Sequence, residues 1–338
     1  MRVGVYGAGA IGAYVGAKLA AAGARVVLVA REELVRHASE LELRDVRGAS
    51  WRRRGEIAVT GDAGALRDAD LCLVTVKSRD TAAAASVLAG VLGPGCAVIS
   101  LQNGLGNART LRDALGPREV AGGVVGFNVH RAGPARFVQA TSGAIFVGPT
   151  SRSGELVRAL RAAGEDAEVR ADIEDVMAGK LLLNLNNGVC AATGLGIAAS
   201  LRDRDARWVF SRCIEEGLRA LRAAGLRPAR VAPLGPRTIA RLMALPDAVV
   251  HRLARVLIRV GEDARSSTLQ DLERGRPTEI DELNGAIVEL AERAGLAAPA
   301  NRAVTDAVCE LERAAVRGEA LVHVSPRELR RRVESSAR

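Results

Sequence analysis

Arg2-Val3-Gly4-Val5-Tyr6-Gly7-Ala8-Gly9-Ala10-Ile11-Gly12 opens the chain and decides the first half of the fold. Five residues of strand character run directly into a GxGxxG. Ala10 to Ala22 then reads as a helix, and Arg25 to Ala30 as a second strand. In that order the first glycine allows a tight turn, the second lets backbone approach a pyrophosphate, and the third lets helix pack on strand. The helix N-terminus offers unpaired N–H groups and a partial positive charge to phosphates. Gly7, Ala8, Gly9, Ala10, Ile11 and Gly12 are therefore the candidate cofactor loop; the alternative is a glycine-rich turn with no ligand. The end of the second strand selects the dinucleotide. An acidic residue there would hold the ribose 2′-hydroxyl of NAD, whereas Val29-Ala30-Arg31 offers an arginine suited to the 2′-phosphate of NADP. Glu32 follows, which keeps NAD open.

Outward from this unit, short apolar runs continue to alternate with alanine-rich helical stretches. Leu71 to Val76, Ala97 to Leu101, Val120 to Val125 and Ala144 to Val147 read as further strands. Alternation of this kind implies a parallel sheet with helices on both faces. After Gly148-Pro149 the character changes. Helical periodicity covers Ile173 to Ala192, Asp203 to Ala224, Pro236 to Leu245, Ala248 to Val260, Thr278 to Ala294 and Asn301 to Val316, and Arg327 to Arg338 reads as a short fraying helix. The expected class is α/β: an N-terminal Rossmann-type doubly wound sheet over residues 1–165, binding NADP, then an all-α domain over 166–338 carrying substrate and catalytic residues.

Composition excludes several other classes. No apolar run reaches the roughly 20 residues a membrane span requires, and the N-terminus has no secretion-signal pattern, so a cytoplasmic chain with no membrane partner is expected. The net charge of +9 raises nucleic acid as a partner, but the arginines are spread out and aromatic residues make up only 2%. Base stacking therefore lacks its usual platform and no nucleic acid is expected. Cys72, Cys96, Cys190, Cys213 and Cys309 are scattered singly and fit reduced thiols, and four distant histidines give no metal spacing, so no metal is expected.

Of 48 basic residues only Lys18, Lys77 and Lys180 are lysine. Arginine holds charge but cannot release a proton near neutral pH, so a retained lysine marks a place where an ionisable amine is useful. Lys18, inside an ordinary helical pattern, reads as chance. Lys77 ends the strand Val74-Thr75-Val76-Lys77, and Gln102-Asn103-Gly104-Leu105-Gly106 ends another; both point to the edge where open α/β sheets bind ligands. A solvated lysine and a turn-forming Asn-Gly are the plain alternatives. In Gly179-Lys180-Leu181-Leu182-Leu183-Asn184-Leu185-Asn186-Asn187-Gly188, Lys180, Asn184 and Asn187 share one helix face. A polar stripe on an otherwise leucine-rich helix is costly to bury without partners, and a ligand is one such partner. Ser266-Ser267-Thr268 and Thr278-Glu279-Ile280-Asp281 follow, where Thr278 reads as a cap and Glu279 as a first-turn acid.

Taken in order, GAGAIG with Arg31, VTVK, QNGLG, GKLLLN, and SSTLQD with TEIDELNG resemble the ketopantoate reductase family over almost the whole chain. The resemblance implies NADPH and a 2-keto acid in the cleft between a Rossmann domain and a helical one. It implies a catalytic lysine at Lys180, substrate contacts from Asn103, Asn184 and Ser267, and cofactor contacts from Lys77 and Asn103. Glu279 matches an acidic residue at the cofactor–substrate junction, which implies a catalytic role beside Lys180 and a contact to the cofactor. The family usually places a second asparagine at position 188. Here Gly188 stands there and Asn187 comes one residue early, which leaves the particular keto acid open. Ketopantoate reduction for pantothenate synthesis is the first expectation. Another 2-keto or 3-hydroxy acid, or a non-catalytic NADP-binding regulator, are the alternatives. Apolar faces in the helical half allow a homodimer.

Overall fold

The computed structural model describes residues 1–52, 55–247, 250 and 264–336. Two compact units divide the chain, Met1–Glu174 and Asp175–Arg338. Strands in the first unit are β1 (Arg2–Tyr6), β2 (Arg25–Val29), β3 (Glu42–Arg44), β4 (Ser50–Arg52), β5 (Ile57–Thr60), β6 (Leu71–Val74), β7 (Ala97–Ser100), β8 (Val120–Val125), β9 (Val129–Arg131), β10 (Arg136–Gln139), β11 (Ile145–Val147) and β12 (Ala167–Val169). Its helices are α1 (Ala10–Ala21), α2 (Glu32–Arg36), α3 (Thr81–Val91), α4 (Asn107–Leu115) and α5 (Ser153–Ala162).

Eight strands form one sheet in the order β12-β11-β8-β7-β6-β1-β2-β5. From β5 to β8 every neighbouring pair is parallel. Chain order reverses between β1 and β6, the switch point at which such sheets bind ligands. The apolar runs are continuous because both faces are covered and alternate residues point to opposite faces. Val3, Val5, Leu71, Leu73 and Ile99 meet Tyr14 and Leu19 of α1 on one face, while Cys72, Val74 and Val98 meet Leu88 and Leu111 on the other. Each fully buried side chain of this size contributes about 1.5–3 kcal/mol.

The sheet is mixed, not all parallel, because β11 runs antiparallel to β8. A second, four-stranded sheet, β4-β3-β10-β9, was not expected from the sequence. It joins the segment after β2 to the segment after β8, with β3 parallel to β10 so that Glu42 lies opposite Arg136. Together the two sheets enclose α1, whose Tyr14, Val15, Lys18, Leu19 and Ala20 are all buried.

Beyond the sheets lie α6 (Ile173–Thr193), α7 (Ile197–Arg202), α8 (Arg204–Ala223), α9 (Pro236–Met243), α10 (Ser267–Glu273), α11 (Ala286–Arg293), α12 (Pro299–Val316) and α13 (Pro326–Ser336). Among the described residues the second unit contains no strand. Asp203 caps α8 by accepting from the N–H groups of Asp205 and Ala206. The buried Glu216 carboxylate of α8 accepts from the backbone N–H groups of Ala300 and Asn301 at 2.9 and 3.0 Å, closing the start of α12. Burial pushes this carboxyl up, against the opposing pull of those hydrogen bonds. The helix expected over Ala248 to Val260 lies almost wholly outside the described residues, as does His251. The single helix expected from Thr278 to Ala294 instead begins with a π-helical turn, Asp281–Gly285, ahead of α11. That turn faces Asn284 inward, where its Nδ2 donates to Asn301 Oδ1 at 3.1 Å.

Candidate active site

Three glycines of the first loop have three different surroundings. Gly7 has φ +91°, and a Cβ there would lie 2.4 Å from Val76 Cγ1. A Cβ on Gly12 would lie 2.3 Å from Thr75 Oγ1, which itself donates to Gly7 O at 2.8 Å. At Gly9 the nearest atom would be Gly7 O at 3.8 Å. The outer two glycines are thus demanded by close packing across the switch point, whereas the middle one keeps open space in front of its backbone. Gly9 is also the N-cap of α1, with no side-chain cap and no acid in the first turn. An uncapped helix start beside an open glycine fits a pyrophosphate.

Arg31 stands exposed just past β2 as the N-cap residue of α2. Its acidic neighbours are engaged elsewhere, Glu32 with Arg36 at 3.5 Å and Glu33 with Arg131 at 2.7 Å. Among the described residues Arg31 itself makes no ion pair.

Lys77 and Asn103 follow β6 and β7, which are adjacent strands. A buried polar network ties their two loops together. Gln102 Nε2 donates to Val76 O at 3.1 Å and to Thr81 Oγ1 at 2.7 Å. Asn107 Nδ2 donates to Asn103 O at 2.7 Å and to Ser78 Oγ at 3.0 Å. Ser78 Oγ in turn donates to Asn103 O at 2.9 Å. Gln102 and Asn107 are the residues that sequence reading missed; Gln102 lies two residues past β7 and Asn107 opens α4, and polarity was their only local signal. Lys77 is half-buried and Asn103 exposed. The first unit therefore gathers the glycine loop, Arg31, Lys77 and Asn103 at the C-terminal ends of the adjacent strands β2, β1, β6 and β7.

In the second unit, α6 buries Leu181, Leu182, Leu185 and Val189 and leaves Lys180, Asn184 and Asn187 half-buried, as their spacing requires. Gly179 admits the backbone of Ala229, since a Cβ there would lie 2.1 Å from Ala229 O. Among the described residues the Lys180 ammonium has neither a hydrogen-bond acceptor nor a carboxylate partner. Burial alone pushes its pKa down, because the charged form loses hydration that no counterion replaces. Ser266 caps α10 and donates to Asn187 O at 3.2 Å, so the start of α10 meets the far end of the stripe; Ser267 beside it is exposed. Glu279 is buried. The cap expected at Thr278 and the first-turn place of Glu279 are not what the structure shows: the helix starts at Asp281 with Ile280 as its N-cap and no side-chain cap, and Thr278 Oγ1 accepts from Ile280 N–H at 3.2 Å in the turn ahead of it. Asn186, next to the stripe, is structural: its Oδ1 accepts from Ser200 Oγ at 3.1 Å.

Gly188 occupies the stripe one turn beyond Asn184. A Cβ there would lie 2.3 Å from Asn284 Oδ1 and 2.8 Å from Val304 Cγ1. Asn284 is fully buried, and among the described residues its Oδ1 accepts no hydrogen bond. No larger side chain, asparagine included, fits at 188 while Asn284 keeps this position.

Lys18, read from the sequence as chance, is 2% exposed and engaged. Its ammonium lies 2.8 Å from Glu165 Oε1 and 3.7 Å from the centre of the Trp51 ring. Tyr14 Oη lies 2.9 Å from Glu165 Oε1 and 3.0 Å from Gln139 Oε1, so its single proton serves one of them at a time. Burial first, and then the Glu165 charge, drive the Tyr14 pKa far up. Four of the five cysteines are buried and Cys309 is half-buried, all as free thiols; burial pushes Cys190 up to about 12. Among the described residues no three His, Cys, Asp or Glu converge on a metal-sized site, and no helix is long and apolar enough to cross a membrane. A groove lined by Arg2, Arg25, Glu56 and Asp68 opens at the N-terminal ends of β1 and β2. It lies at the strand ends opposite the glycine loop and takes no part in this site.

A parallel sheet with an open glycine at its switch point, followed by a helical unit presenting an uncompensated lysine, defines a nucleotide-dependent oxidoreductase architecture. The family model described as ketopantoate reductase PanE/ApbA matches residues 3–152, and the model of its C-terminal part matches 172–312. A 2-dehydropantoate 2-reductase of Halobacterium salinarum is 31% identical over 317 residues, covering 91% of this chain and 98% of that protein. A crystal structure of a PanE/ApbA family ketopantoate reductase from Ralstonia eutropha superposes with a TM-score of 0.78 at 34% identity, covering 94% of this chain and all of that one. D-mandelate dehydrogenase, solved with NADH and anilino(oxo)acetate, shares the fold at a TM-score of 0.78 and 20% identity over 94% of this chain and all of that one. The chain belongs to the ketopantoate reductase family and is an oxidoreductase.

Proposed function

We propose that the protein reduces a 2-keto acid, 2-dehydropantoate before others, to the 2-hydroxy acid (R)-pantoate with NADPH, and so serves pantothenate synthesis. Residues 1–165 would hold the nucleotide and 166–338 the substrate. The observation that carries this is Lys180, a half-buried ammonium with its pKa pushed down by burial and no counterion among the described residues. When bound, a nicotinamide would supply the hydride for the C2 carbonyl carbon of the substrate. Lys180 donates a hydrogen bond to the carbonyl oxygen as negative charge builds there, and then its proton. General-acid assistance of this kind is worth about 10²–10⁴-fold in rate. An arginine would supply the charge but not the proton. Asn103 and Asn184 orient the keto acid, Asn187 extends the same polar face, and Ser267 binds the carboxylate. Glu279 stands at the junction of cofactor and substrate. Gly7 to Gly12 cradle the pyrophosphate, Arg31 takes the 2′-phosphate, and Lys77 contacts the cofactor. A homodimer formed through the helical unit belongs to the same proposal, and sedimentation equilibrium tests it.

The deciding experiment is an initial-rate assay with ketopantoate, comparing NADPH with NADH. Loss of reduced-nicotinamide absorbance with NADPH is expected, and no turnover of any 2-keto acid would sink the proposal. A different 2-keto acid is the second possibility, and the observation favouring it is Gly188, whose packing under Asn284 gives the stripe a bare turn where the family usually has an amide. A substrate panel run under the same conditions separates the two.

A further inference from the structure

The cofactor assignment rests on Arg31, yet Arg31 is followed by two glutamates, either of which could neutralise it. Glu32 turns along α2 to Arg36. Glu33 is drawn off by Arg131, a residue of the second sheet, with Nη1 2.7 Å from Glu33 Oε2. Arg131 is not a loose surface side chain: only 25% of it is exposed, its Nε donates to Gly133 O at 3.0 Å, and its Nη2 donates to Pro134 O. The guanidinium is thus fixed on the turn between β9 and β10 and presents its remaining edge to Glu33. The Glu33 carboxyl is held below the usual carboxylate range by the hydrogen bond and charge of Arg131, with smaller contributions from Arg31 and His37. Arg31 therefore lies within the electrostatic reach of Glu33. Without Arg131, Glu33 would be free to pair with Arg31 and would repel a doubly charged phosphate beside it.

We propose that Arg131 is a positioning residue for nucleotide choice: by holding Glu33 it leaves Arg31 uncommitted, and so tilts binding towards the 2′-phosphorylated cofactor. The inference rests on the NADPH assignment above and deepens it. Isolated exposed ion pairs add little to stability, so the expected effect is on ligand selection and not on folding.

Isothermal titration of the full chain with NADPH and with NADH tests this without requiring turnover. Arg131→Ala should weaken NADPH binding about fivefold, the size of one unit-charge contact in water, and change NADH binding by less than about twofold. The double variant R131A/E33Q should restore NADPH affinity to within about twofold of wild type, because the carboxylate that competes for Arg31 is gone. Arg131→Lys, which keeps a cation opposite Glu33 if the alanine variant folds poorly, should stay close to wild type. Equal losses for both cofactors, or no recovery in the double variant, would overturn the role of Arg131 while leaving the NADPH assignment intact. If wild type binds NADH as tightly as NADPH, the assignment itself falls and Arg131 with it.

Discussion

Lys18 and Lys180 sit on helices of similar apolar character, one in each unit, and chemistry separates them. Lys18 has a carboxylate at 2.8 Å, an aromatic face at 3.7 Å and almost no exposure. Lys180 is half-buried and, among the described residues, unpaired, and burial lowers its pKa. A carboxylate partner in a dry site gives a lysine a structural task, because removing either member strands the other. Partial desolvation without a counterion lets an amine part with its proton more readily than an exposed lysine does. Motif context singled out Lys180 and left Lys18 as chance; the surroundings in the fold show that Lys18 too has a task, a structural one.

The contrast can be broken most sharply by alanine at each position. Lys180→Ala should lower kcat by about 10²–10⁴-fold, with NADPH binding by calorimetry nearly unchanged. Full turnover would remove the general-acid role. Lys18→Ala should do the reverse, costing about 3–5 kcal/mol of stability in urea unfolding because Glu165 is left buried and unpaired. A stable Lys18→Ala protein would mean that the pair is dispensable. Gly188→Ala should cost about 1–3 kcal/mol through overpacking against Asn284 and Val304. Unchanged stability there would show that Asn284 moves aside readily.

Dependence on pH sharpens the same comparison at smaller scale. With its folded pKa lowered, the Lys180 proton is lost as pH rises through a window below the ordinary lysine range. The rate should therefore fall on the basic side earlier than an exposed lysine would allow. In that window the unfolded chain binds more protons than the folded one, so the contribution of Lys180 to stability rises with pH. Lys180→Met should accordingly raise the melting temperature near neutral pH and flatten that rise. A Tm equal to or below wild type would contradict the burial cost. Smallest of all, Tyr14→Phe should cost about 0.5–1.5 kcal/mol, the net value of one hydrogen bond, since Glu165 keeps Lys18.

The glycine loop was readable because its requirements are local: a positive φ at Gly7 and close packing at Gly12 leave few other residues possible. The stripe on α6 was readable because helical spacing alone puts Lys180, Asn184 and Asn187 on one face. The second sheet was not, because its strands are three or four residues long and carry charges such as Arg44, Arg52 and Arg136. They become strands only by pairing with segments far along the chain. The same non-locality hid the role of Lys18, whose partners Trp51 and Glu165 come from β4 and the turn before β12. The spacing anomaly at Gly188 was visible, but its cause, the inward amide of Asn284, belongs to a π turn that no periodicity announces.

The placement of the two tryptophans gives the protein its own optical reporters. Trp51 lies over Lys18 in the first unit, and Trp208 lies between Arg212 and Arg330, 5.2 and 4.7 Å from its ring, in the second. Intrinsic indole emission therefore divides cleanly by unit. Replacing either ring with phenylalanine would let the melting of the other half be watched alone, without an added dye or tag.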